Sequence, residues 1–236
     1  YAVPPMKIPA IEIADSADLF PVHRIYCVGC NYAEHVREMG SDQDREPPFF
    51  FMKPSSAILS NRADFPYPSK SENVHFEVEL VVAIGKGGKN ISQSDANNHV
   101  FGYACGLDMT RRDLQGEMKK KSRPWEISKA FEASAPCGEI CPASKIGHPS
   151  VGTIWLKVNG EIKQEGNISN LIWNIPEIIE HLSGLFELRP GDLIFTGTPA
   201  GVGPIVTGDT MEGCVDGVGT ITTNVVQDRA VPNPMA

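Results

Sequence analysis

The chain has 236 residues, 41% hydrophobic and 21% charged, a balance that suits a globular fold and leaves neither disorder nor a membrane span indicated. Its formal net charge of -8 argues against nucleic acid or an anionic membrane as the main partner, because both require a basic footprint. An anionic substrate would have to be held by local cations.

Residues 1–21 are proline-rich with little periodicity and read as an N-terminal extension, ahead of a single domain over residues 22–236. The start, Tyr1-Ala2-Val3-Pro4-Pro5, has no basic segment followed by an apolar core, so no export leader is expected and a reducing cytoplasm is the expected compartment. Arg24 to Gly29 predicts a first buried strand. Asn31 then has the pattern of a helix N-cap, with Glu34 completing a capping box, and a short helix is expected over 32–39, ended by Gly40. On it His35 and Glu38 share a face: either a surface ion pair, or a histidine made more basic by a carboxylate and able to take a proton from water. Ser41 to Pro48 is charged and turn-rich, as expected of a surface loop, and Phe49 to Lys53 is a strand that Pro54 stops.

The run Asn73 to Ile84 is apolar and β-branched and predicts one strand carrying Glu77 and Glu79. Side chains alternate along a strand, so both carboxylates project from one side. They repel unless a cation lies between them, and a hard divalent cation with Asp108 as third oxygen ligand would relieve that repulsion. A bare Glu-x-Glu also suits the wet face of a half-exposed sheet. Asp108 ends the apolar run Val100 to Leu107 and opens onto a helix that closes in the basic run Lys119-Lys120-Lys121, read as a solvated face. Lys129 differs, because its neighbours in Pro124 to Phe131 are apolar and a buried ammonium needs an anion.

Thr153 to Val158, Asn159-Gly160 and Glu161 to Gln164 predict a hairpin. Asn174 caps a helix with Pro176 in its first turn, whose core face is Ile175, Ile178, Ile179 and Leu182. Leu193 to Phe195 is a short buried strand leading into Thr196-Gly197-Thr198-Pro199, a glycine-containing loop whose amides could bind a carboxylate. Val215 to Gly219 and Ile221 to Val226 are expected to supply the closing strands. Six cysteines include Cys27-Val28-Gly29-Cys30 and the pair Cys137 and Cys141. Zinc or redox chemistry would use such spacings, but Cys27 lies in an apolar run where a reduced thiol packs as a small hydrophobe, and Pro136 and Pro142 flank the second pair.

Taken in order, His35/Glu38, Glu77-x-Glu79, Asp108-Met109-Thr110, Lys129 and Thr196-Gly197-Thr198-Pro199 resemble the fumarylacetoacetate hydrolase family over residues 22–226. The resemblance implies an α+β, predominantly β fold, a mixed β-sandwich roll with flanking short helices, and a homodimer. It implies Mg²⁺ or Mn²⁺ held by Glu77, Glu79 and Asp108, and C–C hydrolysis of acylpyruvates. Arg112, Gln115, Lys129, Thr198 and the neighbouring Gly197 fall where the family contacts a small anionic keto acid. The runs Ile25 to Gly29 and Arg45 to Phe51 look most like fumarylpyruvate hydrolases of aromatic breakdown, with Cys30 standing where many relatives carry Arg and Met52 where close ones often carry Gln. In that reading His35, aligned by Glu38, activates water and Lys129 offsets charge on the leaving enolate. The alternatives are an oxaloacetate decarboxylase or a hydroxyhepta-dienedioate isomerase on the same scaffold and, from another class, a non-catalytic zinc-stabilised binding protein.

Overall fold

The computed structural model describes residues 7–32 and 46–228. The proposed helix carrying His35 and Glu38, and most of the loop after it, lie outside the described residues.

The apolar runs pair into a mixed eight-stranded sheet. Its order is Phe49–Lys53, Ile25–Gly29, Leu193–Phe195, Val78–Ile84, Val100–Leu107, Ala135–Cys137, Ile58–Ser60, with Cys141–Pro142 also paired to Val100–Leu107. The central antiparallel pair aligns Val78 with Leu107 and Glu79 with Gly106. Every residue of Val78–Ile84 is buried, because the strand is covered on both faces. One face packs on a five-stranded sheet built around Thr153–Val158, Thr210–Val215 and Gly219–Gln227, so that Val78, Leu80, Val82, Tyr103 and Leu107 share a core with Ile154, Leu156, Met211 and Ile221. Each aliphatic side chain fully buried in that layer contributes about 1.5–3 kcal/mol before chain entropy is charged against it.

The opposite face carries Val81 and Ala83 against Phe195, Cys27 and Ala104, and it is closed by an antiparallel pair, Ala10–Glu12 with Leu19–Pro21, whose Ile11 and Phe20 are buried there. Glu79 shares the face of Val81, so the carboxylate sits at the end of an apolar layer and is buried by it.

Local signals hold where the chemistry is strong. Asn159 and Gly160 both adopt positive φ, 52° and 80°, and join Thr153–Val158 to Glu161–Asn167. Asn174 accepts from the Glu177 amide while the Glu177 side chain accepts from the Asn174 amide, a reciprocal cap on the helix Ile175–Leu185. Two expectations are corrected. Val215 to Gly219 is the turn between two strands rather than a strand, since Val218 N–H closes back on Val215 O. The strand expected over 73–84 breaks at Glu77 into Val74–Phe76 and Val78–Ile84, which belong to different sheets.

Candidate active site

That break places the first carboxylate. Val74–Phe76 pairs with Thr110–Arg111 and Gly203–Ile205 in a small sheet, and Val78–Ile84 runs on into the large one. At the joint the Val78 amide finds no strand partner and donates instead to Gln164 Oε1 at 2.9 Å, while Gln164 Nε2 donates to Thr198 Oγ1 and to Pro199 O. One buried amide side chain thus ties the carboxylate strand to the Thr196–Pro199 loop. The Asp108 amide donates to Glu77 O at 2.8 Å, carrying the pairing one step past the strand ends and bringing Asp108 beside Glu77.

Glu77, Glu79 and Asp108 are all buried, with one ligand oxygen from each lying within 4.8 Å of the others. Among the described residues this is the one grouping of three or more His, Cys, Asp or Glu ligand atoms, and all six cysteines are free thiols. Lys129, at the end of the helical turn Glu126–Lys129, meets the anion its burial demands: Nζ donates to Glu77 Oε2 at 2.8 Å and to Asp108 Oδ2 at 2.6 Å. Burial opposes its charge, but Asp108 and Glu77 outweigh that and hold its pKa above the ordinary lysine value. Arg112 reaches Glu77 Oε1 at 2.5 Å through one amino group and Gln115 Oε1 at 2.7 Å through the other.

Sequence reasoning missed Lys53. Its ammonium is buried, lies 2.8 Å from Asp108 Oδ1, and donates to the carbonyls of Met109 and Lys129. The signal was present in a lysine ending a phenylalanine-rich strand. Asn31 was missed in the same way: read only as a cap, it is buried and donates to Thr196 O and Trp173 O while accepting from Trp173 N–H. It therefore fixes the loop that carries Gly197 and Thr198.

Glu79 differs from the other two carboxylates. Gly197 N–H donates to its Oε2 at 2.8 Å, but no cation lies within ion-pairing distance among the described residues. Burial, and after it the charges of Asp108 and Glu77, hold its pKa well above the usual carboxylate range. Asp108 Oδ1 meets only the Lys53 ammonium, at 2.8 Å, and accepts from no other donor among the described residues. A buried all-oxygen triad with one uncompensated carboxylate and one unfilled lone pair fits a hard divalent cation.

Thr198 and Gly197 line the same cleft as the triad, with Arg112 and Gln115 on its wall. Gly197 sits at φ 101°, and a Cβ there would lie 2.8 Å from Asn31 Cβ. Gly197→Ala is expected to cost about 1–3 kcal/mol through the left-handed backbone and the clash, and to misdirect the N–H that holds Glu79. Thermal unfolding and a metal titration of the variant check both effects.

The fumarylacetoacetate (FAA) hydrolase C-terminal family model matches residues 24–226. The chain is 48% identical over 194 residues to mouse mitochondrial oxaloacetate tautomerase FAHD1, covering 82% of this chain and 87% of the relative. To a fumarylpyruvate hydrolase of Ralstonia sp it is 45% identical over 184 residues, covering 78% and 95%. A crystal structure of fumarylpyruvate hydrolase from Pseudomonas aeruginosa in complex with Mn²⁺ and pyruvate superimposes with a TM-score of 0.94 at 51% identity, covering 97% of this chain and all of that one. With a matching family model over most of its length, and the buried carboxylate triad in place, the chain belongs to the fumarylacetoacetate hydrolase family.

Proposed function

We propose that the chain is a metal-dependent hydrolase that cleaves the C–C bond of a 2,4-diketo acid, with fumarylpyruvate giving fumarate and pyruvate as the best-supported substrate. The observation that carries this is the triad Glu77, Glu79 and Asp108 set against Arg112, Gln115, Gly197 and Thr198, in a fold matched by a Mn²⁺ and pyruvate complex of a fumarylpyruvate hydrolase. A bound Mg²⁺ or Mn²⁺ supplies electron-withdrawing polarisation of a keto acid's oxygens. Three carboxylates balance the formal charges of Lys53, Lys129 and Arg112, so a site loaded with a divalent ion has a surplus that suits an anionic substrate.

In this reading the Thr198 hydroxyl and the Gly197 loop hold the substrate carboxylate, and Arg112 with Gln115 orients the keto-acid end. His35, aligned by Glu38, takes a proton from the water that attacks the remote carbonyl, and the C–C bond breaks with its electron pair leaving on the pyruvate side as an enolate. Lys129 keeps a positive charge beside that developing anion. We further propose Mg²⁺ as the working ion, a homodimer, a role in aromatic breakdown, a cytoplasmic setting, and one catalytic domain over residues 22–236 with residues 1–21 as its extension. No described helix is long and apolar enough to cross a membrane.

The identity to oxaloacetate tautomerases supports a second reading, proton transfer on oxaloacetate, which needs the polarising ion but no attacking water. Fumarylpyruvate and acetylpyruvate, each read for pyruvate release with Mn²⁺, and oxaloacetate, read for keto–enol interconversion by its ultraviolet absorbance, separate the two. Under the hydrolase reading His35→Ala lowers fumarylpyruvate cleavage by about 10²- to 10⁴-fold. Cleavage within a few-fold of the parent overturns the water-activating role of His35, and a parent that interconverts oxaloacetate but releases no pyruvate from either diketo acid moves the second reading ahead.

A further inference from the structure

Arg112, Gln115 and Lys119 follow one another along the helix Arg112–Lys120 at spacings of three and four, so they share a face, and all three line the cleft that holds the carboxylate triad. Lys119 therefore leaves the basic run to which the sequence assigned it. Lys121 of that run points elsewhere and pairs with Glu117 at 3.4 Å. Lys119 has no carboxylate within ion-pairing distance among the described residues. Its Nζ instead stands 5.1 Å from the centre of the Trp125 ring, and Trp125 is braced edge-on by Phe49 at 5.0 Å. Loss of solvent there pulls the lysine's pKa below its ordinary value, although Cys30 and Glu77 pull the other way.

Each cation at the floor of the cleft has its anion, whereas the one at the mouth has only a ring face. Seven residues of helix separate Lys119 from Arg112, about 10 Å along the axis. That separation suits a substrate with a carboxylate at each end.

We propose that Lys119 is the selectivity residue for the far end of the substrate, receiving a second carboxylate at the mouth of the cleft and so favouring diacids over monoacids of equal length. The inference rests on the keto-acid reading above and names the substrate class within it. Trp125 holds the ammonium in place through its ring face without neutralising it, and the incoming carboxylate forms the charge-assisted hydrogen bond that the protein does not.

The test compares binding of 2-oxoadipate with 2-oxohexanoate, which have the same carbon count and differ in a terminal carboxylate or methyl. Mn²⁺-loaded protein is titrated by calorimetry, so the result does not depend on turnover. The parent is expected to prefer the diacid by about tenfold, the gain of one charge-assisted hydrogen bond in a partly solvated position. Lys119→Met is expected to remove that preference and Lys119→Arg to retain it. A parent with no preference, or a preference that survives in Lys119→Met, overturns the proposal. A preference that follows Lys119 in a protein that cleaves none of the diketo acids overturns the hydrolase reading while leaving the diacid selection in place.

Discussion

Glu79→Gln is expected to abolish metal binding and turnover together while leaving the metal-free protein close to parental stability. The two effects separate because Glu79 is the buried carboxylate without a cation among the described residues. An amide of the same shape still accepts from Gly197 N–H and no longer carries a charge that burial penalises. Outer partners of metal ligands cost about 10–100-fold in affinity when removed, so the loss of a direct ligand is expected to reach at least about a hundredfold.

The pH dependence has a definite sign. The folded-state pKa of Glu79 is raised above the ordinary value of 4.5, so the metal-free folded state holds this proton more tightly than the unfolded chain. The stabilisation is present in full below 4.5 and is lost as pH rises through the raised value. A metal must displace the same proton, so its affinity rises with pH across that window. Urea unfolding and Mn²⁺ titration at several pH values are expected to show both slopes in the parent and neither in Glu79→Gln.

Lys129→Met is expected to be the most destabilising single change in the site. Methionine replaces the length of the side chain but leaves Glu77 Oε2 and Asp108 Oδ2 buried without their shared donor. Removing one partner from a buried ion pair costs about 3–5 kcal/mol, here directed at two carboxylates that already repel Glu79. Added Mn²⁺ is expected to restore part of the loss, since a divalent cation then offsets the charge the ammonium had balanced. Activity is expected to stay low, because the positive charge beside the reacting atoms is gone. Unfolding in urea with and without Mn²⁺ measures the first effect, and pyruvate release at saturating metal measures the second.

The parts legible in the sequence were those fixed by local chemistry. The Glu-x-Glu spacing pointed to Glu77 and Glu79 as neighbours, although the strand breaks at Glu77, Asp108 followed from the end of the next apolar run, and the apolar neighbours of Lys129 required the anions it has. Asn159-Gly160 and Asn174 fixed a turn and a helix start for the same reason. What escaped was set by distant chain. No apolar pattern marks the break at Glu77, because Val78 continues the run and its missing strand partner is supplied by Gln164, 86 positions later. Lys53 reads as the end of a strand until Asp108 is brought against it. Lys119 reads as one of three solvated lysines until helical phase, counted from Arg112, turns it toward the cleft. His35 and Glu38 lie outside the described residues.

The three carboxylates proposed to hold the ion come from one antiparallel strand pair and its flanking residues, closed by the Asp108 to Glu77 backbone bond. The rim is assembled otherwise, from Gly29 and Cys30 in one passage and Lys119 and Trp125 in a second. In the proposed reading the three carboxylates and the rim residues are thus written in separate stretches of the chain. On that reading a lineage can exchange residues at the rim, and with them the acyl group admitted, while the strand pair proposed to position the ion keeps its register. A single scaffold can in this way give rise to enzymes with unlike substrates and a shared reacting centre.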